Sequence, residues 1–146
     1  MAGIVSTPIF VKDGQYLSLT CDNPVTLGQV VKLTATGNDT CDVGSVASGH
    51  PTIMGVAASG DRFSRVQTDG VIAAGQKVTV CTRGVVNVLT GTSTILKGSF
   101  VEAAALGTVD VSGTAGTANS VVDVIGVALD GNSGAATTIR VALMRF

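Results

Sequence analysis

The sequence predicts an all-β fold, a compact β-barrel or sandwich built from two similar halves of roughly 70 residues, with at most short helical turns. Three observations carry that prediction. Apolar residues recur with a period of two and are mostly Val and Ile, alternating with Thr and other small or polar residues, which is the pattern of half-buried strands. Gly, Asn and Asp punctuate these runs at short intervals, as turns do. Finally, the chain repeats itself: Gly28-Gln29-Val30-Val31 is answered by Gly98-Ser99-Phe100-Val101, and Ile53-Met54-Gly55-Val56-Ala57 by Val124-Ile125-Gly126-Val127-Ala128, in the same order and at nearly one offset. Units repeated at this length pack on each other because neither buries its apolar face alone.

Taken in order, residues 1–15 lie outside the duplicated pattern. Ile4, Val5, Ile9, Phe10 and Val11 are apolar, but Pro8 and Gly14 interrupt them. The segment reads either as an edge strand folded back on its own subunit or as an arm reaching a neighbouring one. Residues 16–146 form a single barrel domain whose halves fall at about 16–80 and 85–146. In the first half, strands are expected at residues 16–20, 30–35, 53–57 and 77–81; in the second, at 85–89, 100–104, 121–129 and 138–143. Residues 42–49 and 59–66 could each hold a helical turn or two, the second capped around Ser59-Gly60-Asp61. The first half carries a long loop, residues 58–76, with Asp61, Arg62 and Arg65; its counterpart covers only residues 130–137. Variable loops on rigid scaffolds carry recognition, which marks Arg62 and Arg65 as candidate contact residues.

Composition narrows the function classes. A chain of 146 residues can bury about 70% of its unfolded surface, so a full core needs no staples. Charged residues make up only 13% against about 25% in ordinary domains, so the exterior must be rich in Ser, Thr, Gly and Ala, a surface that lies well against other protein. Nine basic residues against ten acidic leave a net charge of −1 with no basic run, which argues against a nucleic-acid partner. No apolar run reaches the eighteen residues of a membrane-spanning helix, and residues 1–15 do not read as a secretory signal. With no tryptophan and one tyrosine, the chain has little to stack on sugars or bases.

Cys21, Cys41 and Cys81 share no CxxC spacing and read first as buried thiols; a Cys21–Cys41 bridge and a Cys3His zinc site with His50 are the alternatives. His50 is the lone histidine and sits in a Gly-rich stretch. No GxSxG elbow, HExxH or P-loop is present, and the acids are scattered singly, as Asp residues in turns are. The sequence therefore points to no enzyme, cofactor, metal or small-molecule substrate.

The order of motifs resembles a known family. Gly28 to Val31, Gly55-Val56-Ala57, Ala74-Gly75-Gln76-Lys77-Val78-Thr79-Val80, Arg83-Gly84-Val85-Val86, Leu96-Lys97-Gly98, Ile125-Gly126-Val127-Ala128 and Thr138-Ile139-Arg140-Val141-Ala142-Leu143 look like the small capsid decoration, or head cement, proteins of tailed bacteriophages. The resemblance implies a β-barrel that forms homotrimers on the outside of an icosahedral head and clamps neighbouring major capsid subunits against the pressure of the packaged genome. It implies assembly in a host cytoplasm, a place on the virion exterior, and no nucleic-acid, membrane or small-molecule partner. The family supplies no catalytic motif. Within this reading Ile4, Val5, Pro8, Ile9 and Phe10 are expected to contact a neighbour. The sequence departs from the pattern in its long 58–76 loop and its three cysteines. The alternative reading is a receptor-binding or fibre-associated β module of a tail or surface structure, with the loop bearing Arg62 and Arg65 meeting the ligand. A hydrolase, the third class, would require acids or a nucleophile and base converging in one cleft.

Overall fold

Buried Val78 and Val80 alternate in the first half of the 13-residue strand Lys77–Leu89, and buried Val86 and Val88 in its second half, with Thr82 and Gly84 between the two pairs. In the computed structural model, which describes residues 12–44, 53–60, 70–111 and 124–144, this strand is the axis of the molecule. In chain order the strands are β1 (Lys12–Cys21), β2 (Val25–Thr26), β3 (Val30–Leu33), β4 (Thr40–Val43), β5 (Ile53–Gly60), β6 (Val71–Ile72), β7 (Lys77–Leu89), β8 (Thr94–Ile95), β9 (Phe100–Ala103), β10 (Val109–Val111), β11 (Val124–Ala128), β12 (Asn132–Ser133) and β13 (Thr138–Leu143). Among the described residues the helical content is one short 3-10 turn, Ala105–Gly107, and the fold is all-β as expected.

The pairings trace two rings that share β7. In the first, β1 pairs β4, β4 pairs β3, β3 pairs β5, β5 pairs the first half of β7, and β7 returns to β1. The second runs from the other half of β7 through β13, β11 and β9 to β10, and a bridge from Thr90 to Val109 closes it. Both closures are parallel, Thr20 to Thr40 and Cys21 to Cys41 in one ring and Thr90 to Val109 in the other, while the remaining strand pairs are antiparallel. Each ring is flanked by a two-residue ladder, β2 with β6 and β8 with β12.

Backbone requirements explain why the repeated sequence motifs repeat. Gly28 and Gly98 stand at the third position of equivalent four-residue turns with φ of 93° and 89°, a region open to glycine at little cost. Each turn then ties to its own ring: the Gly28 N–H donates to the Ala57 carbonyl at 2.8 Å, and that of Gly98 to the Ala128 carbonyl at 2.8 Å. Gly55 and Gly126 answer a different need. A Cβ on Gly55 would collide with the Cys81 carbonyl oxygen, and one on Gly126 with the Ala142 carbonyl oxygen and, at 2.8 Å, with Val141 Cγ1. Here the β5 and β11 backbones press so closely on β7 and β13 that no side chain fits between them.

Two apolar clusters fill the structure. Leu19, Cys21, Val25, Val31, Cys41, Ala57, Ile72, Val78 and Val80 fill the first ring. A larger cluster joins the second ring's Val86, Val88, Ile95, Val101, Val109, Ile125, Ile139, Val141 and Leu143 to Val30, Ile53, Val56 and Cys81, which point away from the first ring's interior. Full burial of a valine side chain stabilises by about 1.5–3 kcal/mol, so these clusters dominate the folding energy. On the rim Asp130, after β11, accepts from the Arg140 backbone N–H at 3.0 Å, Nε at 2.9 Å and Nη2 at 2.8 Å, which pins the return from β11 to β13.

Four sequence expectations are corrected. Asp42 and Val43 do not open a helical turn, because they complete β4 against β3, with Lys32 opposite Asp42 and Val31 opposite Val43. Ser59 and Gly60 do not cap a helix, because β5 continues through them and pairs with Thr79 and Val78. Residues 58–76 are not wholly loop, since Ala58–Gly60 belong to β5 and Val71–Ile72 pair with β2. The first strand starts at Lys12, four residues before the expected Tyr16.

Two predictions follow from this geometry. Gly55→Ala and Gly126→Ala should each lose about 2–3 kcal/mol in urea unfolding, whereas Gly91→Ala, whose Cβ would meet only Thr108 Oγ1 at 3.6 Å, should stay within about 0.5 kcal/mol of wild type. Hydrogen bonds from the Arg140 side chain, then its backbone N–H, hold the Asp130 carboxyl at about 2, below its ordinary 3.8. Because the folded value is depressed, the stabilisation is present above the unfolded value and is lost as pH falls toward about 2. Thermal melts of Asp130→Asn and wild type should differ at neutral pH and converge by about pH 2.

Candidate interaction surface

The chemistry-bearing residues of the described region are occupied structurally. Cys21 and Cys41 are free thiols, buried and directly opposed across the parallel closure of the first ring. Contact with Cys21, and burial after it, push the Cys41 thiol far above the usual thiol range, while the same contact lowers Cys21. Both cysteines stand as free thiols, without the bridge considered from sequence. Cys81 is a third free thiol, raised by burial and donating to the Arg83 carbonyl at 3.1 Å. It belongs to the other core cluster, so the three sulfurs do not converge on one zinc site.

At the equivalent closure of the second ring, Thr90 stands where Cys21 stands in the first: Cys21 N–H donates to Gln76 O and Thr90 N–H to Thr137 O. Buried Asn132 donates through Nδ2 to Thr90 Oγ1 at 3.0 Å and to Ser93 O at 3.2 Å, and accepts from Gly134 N–H at 2.9 Å. Asp22 accepts from Thr34 Oγ1 at 2.5 Å and Thr36 Oγ1 at 2.9 Å, and Asp42 from Asn23 Nδ2 at 2.9 Å. Glu102, although almost fully buried, also has a partner. Every buried side-chain nitrogen and oxygen among the described residues is satisfied, and no cluster of three or more His, Cys, Asp or Glu able to hold a metal occurs among them. Polar groups engaged in this way hold turns and closures in place.

What the described surface does offer is apolar area. Tyr16, Leu17, Leu33, Leu96, Phe100, Leu106 and Met144 are exposed large hydrophobics. Leu106 is the most exposed, at 79%, and holds a left-handed backbone (φ 57°, ψ 32°) that costs a leucine roughly 1–2 kcal/mol. The turn is held by its setting: the Leu106 carbonyl accepts from Gln29 Nε2 at 2.8 Å, and Gly107 lies so close to Gln29, Val30 and Val43 that no Cβ would fit. Asp39, in the corresponding turn of the first ring, has φ 56°. Sequence reasoning did not single out Leu106 or Phe100. The available signal for Phe100 was its place in the repeat, where the largest apolar residue answers Val30.

The sequence-derived contact candidates Ile4, Val5, Pro8, Ile9 and Phe10, together with Arg62 and Arg65, lie outside the described residues, as does His50.

Comparison with known proteins places this architecture. No curated protein matches the sequence. Among solved structures, the head fiber gp8.5 N base of bacteriophage phi29 superimposes with a TM-score of 0.52 at 10% identity, covering 90% of this chain and 94% of that one. At that identity the likeness is one of fold. A family profile described as structural cement protein (E217 gp24/Pam3 gp6) matches residues 4–144, nearly the whole chain. With two rings of strands, an interior taken up by packing and a sparsely charged exterior already on view, this match makes the chain a member of the phage structural cement protein family.

Proposed function

We propose that this protein is a trimeric capsid decoration protein that binds the outer surface of an icosahedral phage head and stabilises the major capsid lattice against the outward pressure of the packaged genome. The observation that carries this reading is the cement-family match across residues 4–144. The physics is that of any ligand specific for one state. A protein that binds the assembled lattice and not its separated subunits shifts the equilibrium toward assembly by mass action. A closed cyclic trimer meets three equivalent capsid sites at once, and linked contacts multiply individually modest affinities by about 10²–10⁴.

The partners in this reading are two further copies of the chain and the major capsid protein, with no role for nucleic acid, membrane, small molecule or cofactor, and no enzymatic activity. Ile4, Val5, Pro8, Ile9 and Phe10 form the arm that meets a neighbour, and Arg62 and Arg65 add contacts from the longer loop. The likeness in fold to a head-fibre base favours a second reading, a fibre-associated module of a surface structure. Immunogold labelling of native particles separates the two, an even cover over the head for decoration and isolated projections for a fibre base.

Co-sedimentation with purified expanded heads tests the residues. Wild type should pellet with heads and raise the temperature at which they release DNA. Deleting residues 1–11 should weaken binding at least about tenfold, and Arg62→Ala with Arg65→Ala should weaken it by a smaller factor. Unchanged binding and heat resistance in the deletion would remove the arm from the mechanism.

A further inference from the structure

Each ring closes on one short parallel seam, and the two seams differ in chemistry. In the first, β1 meets β4 over two residue pairs, Thr20 with Thr40 and Cys21 with Cys41, fewer than any other pairing in that ring. In the second, the bridge joins Thr90 to Val109, and Asn132 holds Thr90 there through a hydrogen bond at 3.0 Å. Where the second seam has a hydroxyl and a hydrocarbon, the first has two thiols.

The setting prepares Cys21 and Cys41 to react with each other. They are register partners on neighbouring parallel strands, so their side chains leave the sheet on the same face. Both enter one core cluster, which makes that face the interior of the first ring. Ladder bonds clamp the register: Thr20 N–H donates to Asp39 O at 2.8 Å, and Asp22 N–H to Cys41 O at 2.9 Å. Paired strands lie about 4.7–4.9 Å apart, within the Cα separation of about 4.4–6.8 Å that a disulfide spans. The thiols are in contact, and that contact lowers Cys21 and raises Cys41, while burial and the nearby Asp22 and Asp42 raise both. Cys21 is therefore the readier thiolate of the two. Cys81 stands in the other cluster with its thiol on the Arg83 carbonyl at 3.1 Å, so it does not compete for either partner.

We propose that Cys21 and Cys41 form an oxidation site at which hydrogen peroxide closes a disulfide, turning the first ring's seam from a two-pair ladder into a covalent one. The Cys21 sulfur attacks one peroxide oxygen: an S–O bond forms, the O–O bond breaks, and the departing hydroxide takes the thiol proton and leaves as water. The Cys41 sulfur then attacks the sulfenic sulfur of Cys21. The S–S bond forms, the S–O bond breaks, and hydroxide leaves with the Cys41 proton as a second water. Two thiols are thus oxidised by two electrons, and one peroxide is reduced to two waters. The oxidant suits an enclosed site because it is little larger than water. The bridge closes a loop of about 20 residues, which restricts the unfolded chain and so strengthens the folded one. The inference rests on the seam alone and holds whatever the protein binds.

The experiment treats the full chain, reduced and then freed of reductant, with excess hydrogen peroxide, and follows it by thiol titration in denaturant, intact mass and peptide mapping without reduction. Titratable thiols should fall from three to one, and the mass should drop by about 2 Da. Mapping should find Cys21 linked to Cys41 within one chain. The thermal midpoint should rise by roughly 5–10 °C over the reduced protein and fall back when dithiothreitol is added. Cys81→Ala, shown by circular dichroism to keep its strands, should give the same bridge and the same gain. Three thiols surviving the peroxide, Cys21 carried to sulfinic or sulfonic acid without a bridge, or a bridge that involves Cys81 or joins two chains would each overturn the proposal. A Cys21–Cys41 bridge that leaves the midpoint unchanged overturns it as well, since the seam would then not be what the bridge secures.

Discussion

The structure depends on one strand serving two enclosures. β7 lends its first half to one ring, where Val78 and Val80 enter one core cluster, and its second half to the other, where Val86 and Val88 enter the second. Its edges are occupied by β1 and β5 over the first half and by β13 over the second. A shared strand leaves little freedom for the rings to move independently, since rotating one against the other would break the β7 ladder or open the cluster that joins them. Close approach of β5 to β7, and of β11 to β13, leaves Gly55 and Gly126 no room for a side chain.

This arrangement separates the molecule's polar chemistry from its contacts. Buried polar groups are paired among themselves: Thr90 with Asn132 at one closure, and the two thiols at the other. A satisfied interior polar group adds specificity to the fold and offers little to a ligand. Recognition then falls to the exterior, where a charge content near half the usual figure leaves apolar and small residues to do it. Such a surface is costly for a solitary soluble protein and fitting for one that spends its life against others.

Much of the fold was legible because its strongest constraints are local. Glycine in a positive-φ turn is required by geometry within a few residues, so Gly28 and Gly98 stand out in the sequence; Gly55 and Gly126 stand out by their repeat, although the backbones that crowd them, at Cys81 and Ala142, are distant along the chain. The final strand, residues 138–143, was delimited correctly because alternation continues through its whole length. The failures share a cause. Asp42 and Val43 carry no alternating run long enough to signal a strand, and β4 exists because β3 and β1 stand ready on either side. β5 runs beyond its apolar motif into Ser59 and Gly60 because β7 continues alongside, and Val71–Ile72 pair because β2 lies within reach. The exposed apolar positions were less legible still: Leu106 carries no mark distinguishing it from a core residue, and Phe100 only its place in the repeat.

The sequence by itself determined the strand class, the duplication and the turns, because backbone sterics and side-chain alternation act over a few residues. It also determined that the exterior would be sparsely charged, which composition alone decides. Only the tertiary structure decided that one strand serves both rings, that Cys21 and Cys41 meet at a seam as free thiols, and that Val30 is buried while Phe100, its counterpart in the repeat, is exposed. These outcomes depend on which distant segments become neighbours. Val30 and Phe100 follow the same glycine turn and differ in burial only through what lies above them in space.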